Sequence, residues 1–195
     1  MATYLFALFI VILPSAWAPI PPTGFRPILL MITLVTLVLP AINIYLFRML
    51  GTISSIQMPR RKERVLPFIF ISIMYCAVTY MFHEKVHMDW NDNFFRFLVI
   101  IDALVVAGTL ITFFYKISIH SLAIGGIVGI LLPLNKVSEE TPIFYATLVT
   151  IVLSGVVMSA RLQLQAHTLR EVLLGGLLGL FIGFGGVILL FFLPF

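Results

Sequence analysis

The sequence predicts an all-helical integral membrane protein, a bundle of six or seven membrane-spanning helices in which residues 1–195 form a single transmembrane domain. Hydrophobic residues occupy 61% of the 195 positions and charged residues only 10%, whereas a soluble domain carries about 25% charged residues. The mean hydropathy is +1.14. The apolar residues fall in runs long enough to cross about 30 Å of hydrocarbon, and no segment between the runs is long enough to form another domain.

The first apolar run, residues 2–19, has two interpretations. The sequence Ala16-Trp17-Ala18 resembles a signal-peptidase cleavage site, which would make the run a secretory signal. No Lys or Arg precedes the run, however. We therefore expect a retained first span.

Six further apolar runs predict six further spans. They cover residues 27–50, 66–82, 94–115, 122–134, 143–158 and 168–195, with the fifth span beginning near Ser118. Asp102 lies within the fourth span, where a carboxylate is costly and usually faces the bundle interior. Asp102 has two alternative roles: it forms a structural hydrogen bond to another helix, or it lines the path of the substrate. A turn at residues 135–142 contains Glu139 and Glu140.

The charge and cysteine content of the chain limit the kinds of ligand and partner that we expect. The one cysteine, Cys76, lies in an apolar run, which excludes a disulfide framework and a thiolate metal cluster. The net charge is +4, and the basic residues lie mainly in short segments between spans. Membrane topology and phosphate binding explain that distribution better than nucleic acid does. We expect membrane lipids as partners and no nucleic acid.

Arg161, His167 and Glu171 form the most informative cluster. His167 and Glu171 are four residues apart, a spacing that stacks two side chains on one face of a helix. A carboxylate there can accept the imidazole N–H and fix its tautomer. Arg161 adds a cation able to hold an oxyanion. The alternative is an amphipathic helix start whose polar residues meet water.

This cluster resembles the third signature of the type 2 phosphatidic acid phosphatase superfamily, the lipid phosphate phosphatases. That signature reads Ser-Arg, five residues, His, three residues, Asp. The intervals from Arg161 to His167 and from His167 to Glu171 match it. The chain departs from it in two ways: one residue separates Ser159 from Arg161, and Glu171 stands where the family has Asp.

Two further segments resemble the other signatures, in the family's order. Ser118 and His120 keep the Ser and His of Pro-Ser-Gly-His, with isoleucines in place of Pro and Gly. Arg64 and Pro67 resemble the end of Lys, six residues, Arg-Pro, although two residues separate them and Gln57 occupies the Lys position. A helix cap at Ser118, and a basic cluster that only fixes topology, are the alternatives. Counting spans places all three segments on one side of the membrane.

The resemblance implies a lipid phosphate phosphatase that needs no metal or other cofactor. His167 would attack phosphorus to form a phosphohistidine, Glu171 would orient His167, and His120 would protonate the leaving alkoxide. The residues expected to bind the phosphoryl oxygens are Arg161, Arg64, Ser118, Lys62 and Arg61. The head group could be phosphatidate, phosphatidylglycerophosphate, a polyprenyl diphosphate or a lipid A phosphate.

Glycine spacing predicts how the site is assembled. Gly125 and Gly129 lie four residues apart on the fifth helix, as do Gly175, Gly179 and Gly183 on the seventh. Such small-xxx-small patterns let membrane helices approach closely. We therefore expect the fifth and seventh helices to pack together, with His120 and His167 facing one pocket.

Two rival hypotheses remain. His83-Glu84-x-x-His87 matches the zinc motif of metalloproteases, with Asp89, Asp92 or Asp102 as a possible third ligand. The chain could also be an inactive structural relative of the phosphatases, since its signatures are degenerate.

We expect localisation in a bacterial inner membrane, with the side of the site left open. Eight Lys and Arg residues lie on the side of the three segments and four on the other, a bias that favours a cytoplasmic site. Four of those eight are proposed phosphate ligands, and without them the two sides are equal. Many bacterial members of the family work on the outer face.

Overall fold

In a computed structural model that describes residues 1–58, 60–138 and 141–192, the regular secondary structure is entirely helical. The longer helices are α1 (Ala2–Ile12), α2 (Pro22–Met49), α3 (Arg61–Val86), α4 (Asn93–Thr112), α5 (Ile119–Ser138), α6 (Thr141–Gln163) and α7 (Leu169–Phe192). Of the helices in this part of the chain, six, α2 to α7, are long and apolar enough to cross a membrane. The predicted class, a helical membrane protein, is therefore confirmed.

The predicted first span is wrong. Helix α1 has 11 residues, which span roughly 17 Å at about 1.5 Å per residue, too short for the hydrocarbon core. A 3-10 turn, Pro14–Trp17, follows it. Phe6, Phe9 and Trp17 are fully buried, and the Trp17 ring packs on those of Phe6 and Phe94. The hydrophobicity of this segment therefore serves core packing, and among the described residues six helices, not seven, are long enough to span a membrane.

Helix α2 contains a π-helical stretch, Leu34–Val38, just before Pro40. Pro40 has no N–H to donate to the carbonyl of Thr36, four residues earlier. The Tyr75 hydroxyl on α3 donates to that carbonyl instead, at 3.1 Å. The irregular turn of α2 is thus satisfied by its neighbour, as a proline within a membrane helix requires.

The other predicted spans are correct in order, and their ends differ by several residues. Helix α3 is longer than the predicted 66–82, because the basic residues from Arg61 onward form its first turn. Helix α5 begins at Ile119, as expected from a start near Ser118, and extends beyond the predicted end at residue 134, so the turn predicted at 135–142 is shorter. Its Glu139 and Glu140, and the last three residues of the predicted final span, lie outside the described residues.

Helices α5 and α7 form the most closely packed pair in the described part of the bundle. A Cβ added at Gly125 or Gly129 would lie within 3.0 Å of the α7 backbone. One added at Gly179 or Gly183 would meet the α5 backbone in the same way. This confirms the predicted close approach of the fifth and seventh helices.

Candidate active site

Three connections meet at one end of the bundle: those between α2 and α3, α4 and α5, and α6 and α7. The Nη1 of Arg64, near the start of α3, donates to the Ile117 carbonyl at 3.5 Å. The backbone N–H of Ser118 donates to the Glu171 carbonyl at 3.1 Å. The expectation that the three polar segments share one side is therefore confirmed by direct contact.

A polar cavity of about 240 Å³ lies among these connections. It is lined by Gln57, Arg64, Lys116, Arg161, Leu164, Gln165, Ala166 and His167. Among these lining residues three are cationic and none is a carboxylate. The cavity is therefore suited to an anion, since its charge would offset the repulsion among the cations.

His167 and Glu171 are in direct contact, with the His167 Nδ1 2.6 Å from the Glu171 Oε2. His167 does not stand on the helix, as the four-residue spacing predicted, because α7 begins only at Leu169. Thr168 is the N-cap, and Thr168 and Glu171 form a capping box. The box turns the Glu171 carboxylate back toward the start of the helix, which brings it to His167.

The pair defines the chemical state of His167. A carboxylate only accepts hydrogen bonds, so the Nδ1–H of His167 donates to Glu171 and the Nε2 keeps its lone pair. Burial lowers the pKa of His167 below its ordinary value of 6.5, and the contact with Glu171 opposes that shift. The nearby cations Arg64 and Lys116 lower the pKa further. His167 is thus a neutral, oriented nucleophile or base at neutral pH.

Arg64 and Arg161 both line the cavity, as expected for phosphate ligands. Arg64 is buried, and its Nε donates to the Met58 carbonyl at 2.8 Å, which fixes the guanidinium. The Arg161 Nε is buried without a hydrogen-bond partner among the described residues. An unpaired guanidinium N–H in a cationic cavity can donate to a bound oxyanion.

Three of the expected phosphate ligands are not brought to the cavity. Arg61 instead donates to the Phe113 carbonyl, and Lys62 is exposed. Ser118 is fully buried, and its hydroxyl oxygen accepts from the backbone N–H and the hydroxyl of Ser121. It caps α5, which was the alternative reading. In the described residues Arg61 and Ser118 therefore hold the connections in place and Lys62 faces outward, and a role for these three in binding phosphate stays a prediction.

His120 lies near His167 but lines a different cavity. It is exposed at the start of α5 and borders a mainly apolar cavity of about 230 Å³, whose lining includes Phe68 and Leu104. His120 is within electrostatic range of His167 and Arg161. Among the described residues the two histidines therefore line two neighbouring cavities. The expectation that both face one pocket is wrong for these cavities.

The zinc motif lies at the opposite end of α3. His83 is helical, whereas His87 is the C-cap in the left-handed conformation, with φ 58°, so the two imidazoles are not one regular turn apart. The His83 Nδ1 is 2.7 Å from the Met88 carbonyl. Among the described residues, no group of three His, Cys, Asp or Glu side chains could hold a metal ion. Asp102 lines a small interior cavity with Thr36 and Thr79.

Sequence reasoning did not assign Lys116, Gln57 or Gln165 to the site, although all three line the polar cavity. The Lys116 Nζ is 3.7 Å from the Glu171 Oε2 and donates to the Ala166 carbonyl at 3.4 Å. Its position two residues before Ser118 was a usable signal.

Comparison with known proteins does not place the chain in a family: no family model, curated protein or solved structure matches it.

Proposed function

We propose that the protein is a membrane phosphatase that hydrolyses a lipid phosphomonoester or diphosphate through a phosphohistidine. One observation carries the proposal: His167, hydrogen-bonded to Glu171 at 2.6 Å, lines a cavity that also contains three cationic side chains. A neutral imidazole with a free lone pair beside an anion-binding cavity is suited to phosphoryl transfer. No metal or other cofactor takes part in the scheme.

In the first step the His167 Nε2 attacks phosphorus, and the bond from phosphorus to the leaving oxygen breaks in line. The leaving oxygen, which belongs to an alkoxide in a phosphomonoester and to the inner phosphate in a diphosphate, takes a proton from the His120 imidazolium, and the lipid alcohol or lipid monophosphate departs. In the second step a water molecule, giving a proton back to His120, attacks the phosphohistidine. The phosphorus–nitrogen bond then breaks and inorganic phosphate is released.

The surrounding charges stabilise the transferring group. Arg64 and Arg161 bind its equatorial oxygens, where most of the transition-state charge develops. Glu171 stabilises the positive charge that the imidazole gains as it bonds to phosphorus. Because Arg64 is held by the Met58 carbonyl before any substrate arrives, part of the site is preorganised.

The lipid nature of the substrate is supported by the second cavity. The cavity beside His120 is mainly apolar and lies between α3, α4 and α5, so it offers space for hydrocarbon next to the polar cavity. The bacterial inner membrane is the proposed location. The four candidate head groups share a terminal phosphate, which is the part that the polar cavity would bind.

A second candidate is an inactive membrane protein with the same arrangement of helices. The separation of His120 and His167 into two cavities favours it, because the proposed acid must reach the leaving oxygen. Catalysis therefore requires that the substrate itself bridge the two cavities. A direct assay separates the two candidates.

The test measures phosphate release from a panel of lipid phosphates by the purified protein in the presence of a chelator. We expect turnover of at least one lipid, and loss of that turnover in His167→Ala. The matched controls His83→Ala and His87→Ala should retain near-parental rates. Absence of turnover with every lipid would favour the inactive candidate, and loss on chelation that zinc restores would favour the metalloprotease motif.

A further inference from the structure

Lys116 lies on the connection between α4 and α5 and reaches the polar cavity, although it was not among the expected phosphate ligands. Its side chain is 27% exposed, lying partly in the cavity that His167 and Arg161 also line. The one hydrogen bond found for its ammonium among the described residues runs to the Ala166 carbonyl, at 3.4 Å. An ammonium has three donors, so Lys116 retains donors for a ligand.

Gln57 lines the same cavity and lies seven residues before Arg64. That is the place at which the phosphatase signature has its lysine, and here it is neutral. The cavity nevertheless contains three cations, because Lys116 enters from the α4–α5 connection.

On these grounds we propose that Lys116 is a phosphate-binding residue of this cavity, supplying the cation that Gln57 does not, and that its ammonium leaves Glu171 for the bound phosphate. The inference rests on the proposed function and names a further residue of that site.

The contacts of Glu171 support this movement. Its Oε2 is 2.6 Å from the His167 Nδ1 but 3.7 Å from the Lys116 Nζ. The longer contact is an ion pair without close hydrogen-bond geometry, and partly exposed pairs of this kind contribute little. Lys116 can therefore turn to a phosphate at small cost. Glu171 would then remain paired with His167 alone.

The rival role for Lys116 is structural, a tether between the α4–α5 and α6–α7 connections. Moving the positive charge from position 116 to position 57 distinguishes a phosphate ligand from a structural tether. Lys116→Gln removes the cation, and the double variant Gln57→Lys with Lys116→Gln returns a cation to the cavity without restoring the tether. Arg170→Gln is the matched control, since Arg170 is an exposed cation of the same region that does not line the cavity.

The measurement is the dissociation constant of inorganic phosphate, followed through the imidazole resonances of His167, which requires no turnover. We expect Lys116→Gln to weaken phosphate binding about 10- to 100-fold, the loss typical of a hydrogen bond to a charged group. The double variant should recover most of that loss, and Arg170→Gln should bind as the parent does. Gln57→Lys alone should bind phosphate more tightly.

Parental phosphate affinity in Lys116→Gln, or no recovery in the double variant, would overturn the inference. If Lys116→Gln does not fold, the ammonium resonance of Lys116 in the parent decides, and the absence of any change in it on saturation with phosphate would overturn the inference. Failure of the proposed function looks different: the parent would bind phosphate through Lys116 and yet release none from any lipid.

Discussion

Glu171 performs two tasks with one carboxylate, and they can be separated by substitution. It closes the capping box with Thr168 and accepts the hydrogen bond of His167. A glutamine at this helix position also closes a capping box, so Glu171→Gln should keep the start of α7 intact. A neutral amide cannot stabilise the imidazolium, however.

We therefore expect Glu171→Gln to lower kcat about 100-fold or more, the size typical of losing acid–base assistance. Glu171→Asp should retain measurable activity, because it keeps the charge that the phosphatase signature has at this position. Steady-state kinetics on both variants, with thermal unfolding as a check on folding, provides the comparison. Equal kcat values for Glu171→Gln and the parent would remove Glu171 from the mechanism.

We expect the titration of His167 to set how activity and stability change with pH below neutrality. Its pKa is lowered below 6.5, first by burial and then by Arg64 and Lys116. The neutral nucleophile therefore persists below pH 6.5, and the acid limb of kcat/KM should lie below that value. The unfolded state binds the proton first, so the free energy of unfolding should fall as pH drops below 6.5 toward the lowered pKa.

Titration of the His167 imidazole by NMR measures this pKa directly. Because Glu171 raises the pKa, Glu171→Gln should shift the titration to still lower pH. A midpoint above 6.5 in the parent, or an upward shift in Glu171→Gln, would contradict this electrostatic description of the site.

At the scale of elements, the α5–α7 pair sets the position of the site, because both helices begin there. A Cβ at Gly179 would meet the backbone of Leu122 and Gly126, and backbone cannot move aside as a flexible side chain can. Gly179→Ala should therefore separate the helices and destabilise the protein by about 1–3 kcal/mol, the usual cost of overpacking.

The control for that variant lies on the same helix. A Cβ at Gly185 meets nothing within 4 Å, so Gly185→Ala tests the loss of a glycine without the clash. Thermal unfolding in detergent compares the two. Similar midpoints for both variants would show that the close approach of α5 and α7 does not limit stability.

The sequence was enough to predict this helix pair, because glycines spaced four residues apart lie on one face of a helix and let another backbone approach it. It misjudged the first apolar run because hydrophobicity does not distinguish a lipid-facing helix from one buried in the core, as Phe6 and Trp17 are. The predicted position of His167 on the helix was also wrong, because spacing alone does not show where a helix begins. A four-residue spacing predicts helical stacking, whereas Thr168 starts the helix one residue after His167.

At the scale of the whole molecule, the six spans place three connections together at one end, while the aromatic cluster around Trp17 and Phe94 packs α1 against α4 at the other. The alternation of spans was enough to predict the gathering of the polar segments. It could not predict which cations enter the cavity. That depends on side-chain directions, which turn Arg61 to the Phe113 carbonyl and Lys116 to the cavity.

Trapping of the phosphoenzyme tests the central proposal most directly. The purified protein is mixed briefly with a lipid phosphate carrying radiolabelled phosphorus, in chelator, and is then quenched in base and digested. The proposed mechanism predicts a base-stable, acid-labile label on the peptide that contains His167, and no label in His167→Ala. Turnover without a label on that peptide, or full turnover in His167→Ala, would contradict it.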